Sequence, residues 1–250
     1  ICFQRRFDLC DGQEDYDLKL GYASSHTFAI DAVETGQCVL DLASGPGYVA
    51  RCLREKPCRV TGVDRREAPA GAFDRFIRHD LDDLPLPDAV DDSYDVILVL
   101  DCIEHLEAPE RLLEAVRERC YRPGARLILT TPNIAFLPLR IGLLCGQFNY
   151  GRQGILDLTH TRLFTFRSIA RLLEQEGFRI RRLRGIPAPF PKALGDGPLA
   201  RFLVAANRAA IAAWKGAFAY QIYAEAEFTA PLSRLLKRTL DASRERRAAP

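Results

Sequence analysis

The segment that most restricts the possible folds is the run Val39-Leu-Asp-Leu-Ala-Ser-Gly-Pro-Gly-Tyr48. An apolar, strand-like stretch ends there in a glycine-rich turn, and residues 48–54 continue with helical spacing. A turn of this kind lets the backbone approach a ligand closely and points the N–H groups at the start of the helix toward it. We therefore expect a ligand-binding strand–turn–helix unit within an α/β domain.

Strand-like and helix-like stretches alternate along the rest of the chain. Strands are expected at 38–42, 59–63, 76–79, 94–100, 126–131, 178–183 and 218–228. Amphipathic helices separate them, one ended by Pro123-Gly124 and another capped by Thr165 and ended by Gly177. Residues 186–198 are expected to form a loop and 199–213 a helix. The alternation predicts βαβ units and a parallel sheet with helices on both faces.

The composition excludes several classes of protein. With 250 residues, 27% of them charged and 48% hydrophobic, the chain has the size of one globular domain. Its 35 basic and 33 acidic residues nearly balance, which argues against a nucleic-acid partner bound through overall charge. The most apolar run, 96–100, is far shorter than the roughly 20 residues of a membrane span, and the N-terminus has no signal-peptide core. The eight cysteines form no CxxC and no Cys/His cluster with zinc spacing, so we expect no metal site and a reduced, cytoplasmic protein.

Acidic residues lie at or just after the carboxyl ends of the first three predicted strands. Asp41 lies before the glycine-rich turn, where an acid would repel a pyrophosphate but would suit a ligand that bears an ammonium group. Asp64 ends the second strand, where a carboxylate can accept both hydroxyls of a ribose. Asp80 and Leu81 follow the third strand, where a side chain and a backbone amide could frame an adenine. These positions predict a site for a cationic nucleoside.

The glycine spacing alone leaves a second interpretation open. Gly45-x-Gly47-x-x-Ala50 also fits the dinucleotide fingerprint of a nicotinamide-dependent oxidoreductase. Such an enzyme is expected to carry a Tyr-x-x-x-Lys or similar hydride-site pair. None of the eight tyrosines is followed by a lysine four residues later, which argues against this alternative.

Taken in order, these motifs resemble those of the class I S-adenosylmethionine-dependent methyltransferases. The acid-x-Gly-x-Gly-x-Gly motif of that family matches Asp41, Ala43, Gly45 and Gly47, with alanine in place of the first glycine. Residues 94–106, which include a Glu-His pair, resemble the family's fourth strand and the segment after it, and 122–133 resemble its Pro-Gly turn and fifth strand. The resemblance implies a Rossmann-like, seven-stranded sheet whose last strand is antiparallel. It also implies S-adenosylmethionine as cofactor and S-adenosylhomocysteine as product.

The motifs and the resemblance together assign the cofactor to the carboxyl ends of the first strands. The candidate cofactor-binding residues are Asp41, Ala43, Ser44, Gly45, Gly47, Asp64, Asp80, Leu81, Asp101 and Tyr22. Structural roles remain open for some of them. Asp101 could instead cap the next helix, and Tyr22 could simply pack against its neighbours.

A narrower resemblance concerns the acceptor. Residues 154–165 and 219–223 are similar to segments of bacterial methyltransferases that accompany, or are fused to, sugar transferases. The resemblance implies O-methylation of a saccharide or other small hydroxylated acceptor, with a glycosyltransferase as a possible partner. A non-catalytic methyltransferase-like partner of such an enzyme is the alternative.

A hydroxyl acceptor needs a base, and histidine is the side chain suited to this role near neutral pH. His160, in the insertion after the fifth strand, is the candidate base, and His105, expected to open the helix after the fourth strand, is the second candidate. Asp157 or Arg162 would orient the base or the substrate. As a structural alternative, these two residues would form an ion pair that holds the inserted loop.

The chain is predicted to form one methyltransferase domain over 1–250. Its parts are a helical segment 1–36, a cofactor-binding half 37–131, a substrate-covering insertion 132–162, the second half of the sheet 163–228 and a C-terminal helix 229–250. The basic face of that last helix could lie on the inner face of a membrane, or it could simply be solvated. Because the chain starts at Ile1 and contains no Met, we expect a domain cut from a longer protein.

Overall fold

The computed structural model describes residues 22–195, 197–234 and 236. Its strands are β1 (Cys38–Leu42), β2 (Arg59–Asp64), β3 (Arg75–Arg78), β4 (Val96–Leu100), β5 (Arg126–Pro132), β6 (Phe178–Ile186) and β7 (Gln221–Phe228). Its helices are α1 (Ser25–Ala32), α2 (Tyr48–Arg54), α3 (Pro109–Cys120), α4 (Leu137–Leu144), α5 (Phe166–Gln175), α6 (Phe190–Leu194) and α7 (Pro198–Phe218). A short 3₁₀ turn at Ile103–His105 lies between β4 and α3.

The strands form one seven-stranded sheet in the order β3-β2-β1-β4-β5-β7-β6. β1 pairs in parallel with β2 and β4, and the parallel arrangement continues to β3 on one side and to β5 on the other. β7 runs antiparallel to both of its neighbours, β5 and β6. The predicted α/β fold, a seven-stranded sheet with an antiparallel last strand, is confirmed.

The centre of the sheet is buried on both faces, which explains why its strands are continuous apolar runs. One face packs against α3 and α5, with a core that includes Leu40, Ile97, Leu127, Leu112 and Ile169. The other face packs against α1 and α2, with a core that includes Val39, Val60, Leu98, Ala29 and Leu53. Because successive side chains of a strand point to opposite faces, neighbouring residues of β1 and β4 divide between the two cores.

The second half of the chain differs from the prediction in detail. The expected loop over 186–198 is wrong in part, since β6 extends to Ile186 and α6 occupies Phe190–Leu194. The helix expected at 199–213 is α7, which continues to Phe218 through a non-helical residue at Trp214. The insertion contains a helix, α4, that the sequence did not predict. None of the residues of α4 is buried, so its sequence carries no amphipathic period.

Some expectations concern the ends of the chain. Residues 1–21 of the N-terminal segment, and most of the predicted C-terminal helix, lie outside the described residues. Within the described ranges, no helix combines the length and the apolar character that crossing a membrane requires.

Candidate active site

The glycine-rich turn between β1 and α2 is built from left-handed backbone conformations. Gly45 has a φ of 52° and Gly47 a φ of 80°. A Cβ at Gly47 would lie 2.9 Å from Cβ of Ala72 and 3.1 Å from the ring of Phe73, so only glycine fits there. Ala43, which replaces the first glycine of the motif, keeps the turn with a φ of 58°. The alanine therefore preserves the shape of the turn at some cost in backbone strain.

Gly45 borders open space, and its backbone N–H is hydrogen-bonded to Asp64. No atom lies within 4 Å of a Cβ placed on Gly45, so the volume over the turn is available to a ligand. The Gly45 N–H donates to Oδ2 of Asp64 at 2.8 Å, and the Arg66 N–H donates to Oδ1 at 2.8 Å. The buried hydroxyl of Ser44 has no hydrogen-bond partner among the described residues. Because buried polar groups are nearly always satisfied, this hydroxyl marks a place where a ligand is expected.

Asp41 is the most strongly perturbed acid of the site. Its side chain is buried at the end of β1. Burial, with a smaller contribution from the charge of Asp64, raises the pKa of Asp41 to about 7. Since a nearby positive charge favours the ionised carboxylate, a cationic ligand would restore its negative charge. The site therefore suits a ligand with an ammonium or sulfonium group.

Asp80 and Leu81 lie beyond the end of β3, close to Asp64. The His79 N–H donates to the backbone carbonyl of Asp64 at 2.9 Å, which draws the segment after β3 toward the end of β2. Asp80 is half-buried and accepts the N–H of Asp82 at 3.2 Å, while Leu81 is buried. The structure thus brings both residues to the same edge of the sheet as the ribose-binding candidate. Their contact with an adenine stays a prediction.

Asp101 joins three elements and does not cap a helix. Its Oδ1 accepts hydrogen bonds from Thr130 Oγ1 at 2.8 Å and Gln221 Nε2 at 2.9 Å, and its Oδ2 accepts one from Ser25 Oγ at 2.8 Å. The N-cap of α3 is Ala108, so the alternative that Asp101 caps the next helix is wrong. Asp101 ties β5, β7 and α1 to the carboxyl end of β4.

Tyr22 lies just before α1, at the start of the described residues. It lines a cleft with Pro191 of α6 and with Arg201 and Arg208 of α7. Its backbone carbonyl accepts a hydrogen bond from Thr27 Oγ1 at 3.3 Å. A cofactor contact by Tyr22 therefore stays a prediction.

The two candidate bases lie side by side. The ring centroids of His105 and His160 are 4.8 Å apart in an edge-to-face arrangement. Nδ1 of His105 is 3.2 Å from the carbonyl oxygen of Thr159, and Nδ1 of His160 is 2.9 Å from that of Ile155. Because a carbonyl only accepts, each Nδ1 carries a proton, and Nε2 is the ring nitrogen that these contacts leave unengaged. Burial, followed by the neighbouring His160, lowers the pKa of His105.

Backbone hydrogen bonds explain why these histidines meet. The Thr161 and Arg162 N–H groups donate to the carbonyl of Glu104 at 2.9 and 3.0 Å, which fixes the inserted loop against the 3₁₀ turn. His105 ends that turn, whereas α3 begins only at Pro109. The expectation that His105 opens the long helix is therefore wrong. Glu104 itself is buried, and its Oε2 accepts a hydrogen bond from Thr131 at 3.0 Å.

Asp157 and Arg162 do not form the expected ion pair with each other. Arg162 instead lies 3.5 Å from Glu110 of α3. Asp157 accepts hydrogen bonds from the backbone N–H and the hydroxyl of Thr159, at 2.8 and 2.7 Å. The Thr159 hydroxyl also lies 3.1 Å from Nδ1 of His105, so Thr159 connects Asp157 to His105. Sequence reasoning missed Thr159 and the acid Glu104, and the Glu-His pair after β4 was the only signal for the latter.

A comparison with known protein families decides what kind of domain carries this site. The family model described as "Methyltransferase domain" matches residues 15–183. The chain belongs to this methyltransferase family. Together with the glycine-rich turn, the acids Asp41 and Asp64 and the order of the strands in the sheet, the match confirms the predicted S-adenosylmethionine-dependent methyltransferase domain.

Relatives and solved structures agree with this family. A probable S-adenosylmethionine-dependent methyltransferase of Mycolicibacterium smegmatis is 34% identical over 158 residues, which cover 60% of this chain and 55% of the relative. A ubiquinone biosynthesis O-methyltransferase of Aeromonas salmonicida is 25% identical over 162 residues, with 60% and 66% covered. The chain thus matches between half and two-thirds of the length of these relatives.

A solved structure gives the fold comparison. The Burkholderia thailandensis 1,6-didemethyltoxoflavin-N1-methyltransferase, solved with bound 1,6-didemethyltoxoflavin and S-adenosylhomocysteine, superposes with a TM-score of 0.53 at 18% identity. The superposition covers 82% of this chain and 76% of that one. At this identity the comparison supports the methyltransferase fold of this chain and nothing about its acceptor.

Proposed function

We propose that this methyltransferase transfers a methyl group from S-adenosylmethionine to a hydroxyl oxygen of a small acceptor. The observation that carries the proposal is the pair of imidazoles, His105 and His160, which lie side by side with each Nδ1 against a backbone carbonyl. The name of the Aeromonas relative, an O-methyltransferase, supports oxygen as the accepting atom.

The residues around the turn fit the cofactor. Asp64 would accept the ribose hydroxyls, Asp41 would face the ammonium group, and the Leu81 backbone would adjoin the adenine. The open volume over Gly45 and the unsatisfied hydroxyl of Ser44 are features of a site built for a ligand. S-adenosylmethionine bound there supplies a methyl group on a positively charged sulfur.

The imidazole pair would activate the acceptor. A hydroxyl is a weak nucleophile until its proton is withdrawn, and a neutral imidazole is the usual acceptor of that proton near pH 7. His160 lies on the inserted loop and would act first, while the lowered pKa of His105 keeps its ring neutral beside it. Asp157 would position His105 through Thr159. These side chains align the reactants, and the cofactor supplies the reactivity.

The acceptor class that we propose is a saccharide or another small hydroxylated molecule. Its support is the similarity of 154–165, the segment that contains His160, to methyltransferases that work with sugar transferases. A fused or associated glycosyltransferase would then be the partner.

We also propose a cytoplasmic location with contact at the inner face of the membrane. Its support is a group of exposed apolar side chains in and after α4, namely Ile141, Leu143, Leu144, Phe148 and Tyr150. Clusters of exposed apolar side chains are characteristic of surfaces that meet a partner or a membrane.

Calorimetric titration tests the cofactor first. We expect S-adenosylhomocysteine to bind with one site per chain and NAD to give no heat. A clear NAD isotherm with no heat from S-adenosylhomocysteine at millimolar concentration would overturn the proposal in favour of the oxidoreductase alternative. Mass spectrometry of candidate sugars, nucleotide sugars and glycan extracts, incubated with S-adenosylmethionine, then tests the acceptor by a gain of one methyl group. A gain on nitrogen in place of oxygen would refute O-methylation.

A further inference from the structure

Three side chains with metal-binding atoms converge beside the proposed acceptor site. Glu104, His105 and His160 each offer one such atom, and these atoms all lie within 4.8 Å of one another. In the tetrahedral geometry usual for zinc, bonds of about 2.0–2.2 Å to nitrogen and oxygen place two donors roughly 3.3–3.6 Å apart. A shortening of the donor–donor distances by up to about 1.5 Å would therefore complete a common coordination sphere. The sequence gives no local signal for this cluster, because the two histidines are 55 positions apart.

The ligands are already oriented by outer contacts. Metal-bound histidines usually donate their other ring N–H to a carbonyl or a carboxylate, which fixes the tautomer and the direction of the lone pair. Nδ1 of His105 meets the Thr159 carbonyl and Nδ1 of His160 meets the Ile155 carbonyl, so both Nε2 atoms are left as ligands. The Glu104 carboxylate is likewise held by Thr131, a fully buried hydroxyl. A structural role for these histidines would not require both rings to take the same tautomer.

The donor set selects the class of cation. Two imidazoles and one carboxylate suit zinc and other first-row divalent metals, whereas magnesium and calcium favour oxygen donors throughout. Three protein ligands also leave at least one coordination position for a water or a substrate, which distinguishes a catalytic site from a closed structural one.

We propose that Glu104, His105 and His160 bind one first-row divalent cation, whose open position receives the acceptor's hydroxyl. Cation binding does not depend on the proposed function, whereas the coordination of the acceptor's hydroxyl rests on it. With the imidazole lone pairs engaged, the cation replaces His160 as the activating group and lowers the pKa of the coordinated hydroxyl. The hydroxyl proton leaves to water, an O–CH₃ bond forms, and the S–CH₃ bond breaks with its electron pair kept on sulfur. The sulfonium thus becomes a neutral thioether.

Cobalt(II) is the probe, because it accepts the same ligands as zinc and its visible spectrum reports coordination. The chain is stripped with EDTA, dialysed and titrated with CoCl₂ under calorimetric and spectroscopic detection. We expect one cobalt per chain and a spectrum without the intense thiolate band that cysteine ligands would give. Glu104→Gln and His160→Ala should each weaken binding by at least about a hundredfold, since even outer-shell substitutions cost roughly 10–100-fold.

His26→Gln is the matched control, since His26 lies on α1 and outside the cluster. Its affinity for cobalt should equal that of the unmodified chain. Far-ultraviolet circular dichroism checks that every variant is folded, and Glu104→Gln preserves the size of the buried side chain. Absence of binding at millimolar cobalt, thiolate coordination, or equal affinity in all variants would overturn the cation site.

The same preparations separate this proposal from the proposed function. Cobalt binding without S-adenosylhomocysteine binding would leave the cation site standing and refute the methyltransferase reaction. S-adenosylhomocysteine binding together with full transfer activity after EDTA, and no bound cobalt, would refute the cation and leave His160 as the base.

Discussion

Asp64 and Gly45 are joined by a hydrogen bond of 2.8 Å, in which the backbone N–H of the turn donates to the carboxylate at the end of β2. The other carboxylate oxygen accepts the N–H of Arg66. A carboxylate can accept about four hydrogen bonds, so two positions remain for the hydroxyls of a ribose. One side chain thus shapes the turn and is placed to bind the ligand that the turn encloses.

Replacement of Asp64 should therefore damage the turn and the ligand contact together. Hydrogen bonds to charged groups contribute about 1.5–3 kcal/mol each. We expect Asp64→Ala to weaken S-adenosylhomocysteine binding at least about a hundredfold by calorimetry, since two such bonds are lost. Glu55→Ala, at the exposed end of α2, removes the same charge outside the site and should change the affinity less than twofold. A loss below threefold in Asp64→Ala would contradict the assigned role.

The open space over Gly45 gives a second prediction with a close control. Gly45 and Gly36 both have positive φ values, 52° and 79°, and neither has an atom within 4 Å of an added Cβ. Alanine at either position should cost about 1–2 kcal/mol of unfolding free energy through backbone strain. Only the Cβ at Gly45 would enter the proposed cofactor volume. Gly45→Ala should weaken S-adenosylhomocysteine binding about tenfold or more, through lost contacts worth roughly 1.4 kcal/mol, while Gly36→Ala leaves it unchanged. Equal affinities in the two variants would show that the cofactor lies elsewhere.

Substitution of His160 should slow methyl transfer without weakening cofactor binding. His160→Gln is expected to keep S-adenosylhomocysteine affinity within about twofold and to slow methyl transfer by roughly 10²–10⁴-fold, the usual contribution of a positioned proton acceptor. His26→Gln, on α1, should keep both properties. Calorimetry and single-turnover rates on an identified acceptor provide the two readouts. If His160→Gln loses cofactor affinity as strongly as Asp64→Ala, the role assigned to His160 is wrong.

The cofactor half of the site was the part that the sequence could predict. Asp41, Gly45 and Gly47 lie within one short turn whose backbone conformations demand particular residue types, so local sequence carries the information. The parallel strands are buried on both faces and therefore form continuous apolar runs. Both signals lie within short stretches of the sequence, so they can be recognised without any knowledge of tertiary contacts.

The acceptor half depends on contacts that are distant in the chain. His160 meets His105 because backbone N–H groups of the inserted loop donate to the carbonyl of Glu104, 57 residues away. Such bonds leave no trace in side-chain spacing, so neither the histidine pair nor its acid could be placed in advance. Asp101 shows the same limit, since its partners on α1, β5 and β7 meet only in the folded sheet.

Asp41 gives a prediction of pH dependence. Burial raises its pKa from 3.8 to about 7 in the folded, ligand-free protein, whereas an unfolded chain would keep the lower value. Between these pH values the folded state binds the extra proton, so the unfolding free energy should fall as pH rises through this window, by at most about 4 kcal/mol. Chemical denaturation at several pH values measures this slope. Asp41→Asn, which carries no titrating group, should remove this contribution.

Ligand binding should depend on pH in the opposite direction. A ligand with an ammonium group binds the ionised Asp41, so the proton must leave before or during binding. The affinity for S-adenosylhomocysteine should rise with pH by up to about tenfold per pH unit below about pH 7 and become constant above it. Calorimetry in two buffers of different ionisation enthalpy should show proton release below this pH and none well above it. In Asp41→Asn both the slope and the proton release should vanish, leaving weaker and pH-independent binding. An affinity that is constant from about pH 5 to about pH 8 in the unmodified chain would show that Asp41 does not face the ammonium group.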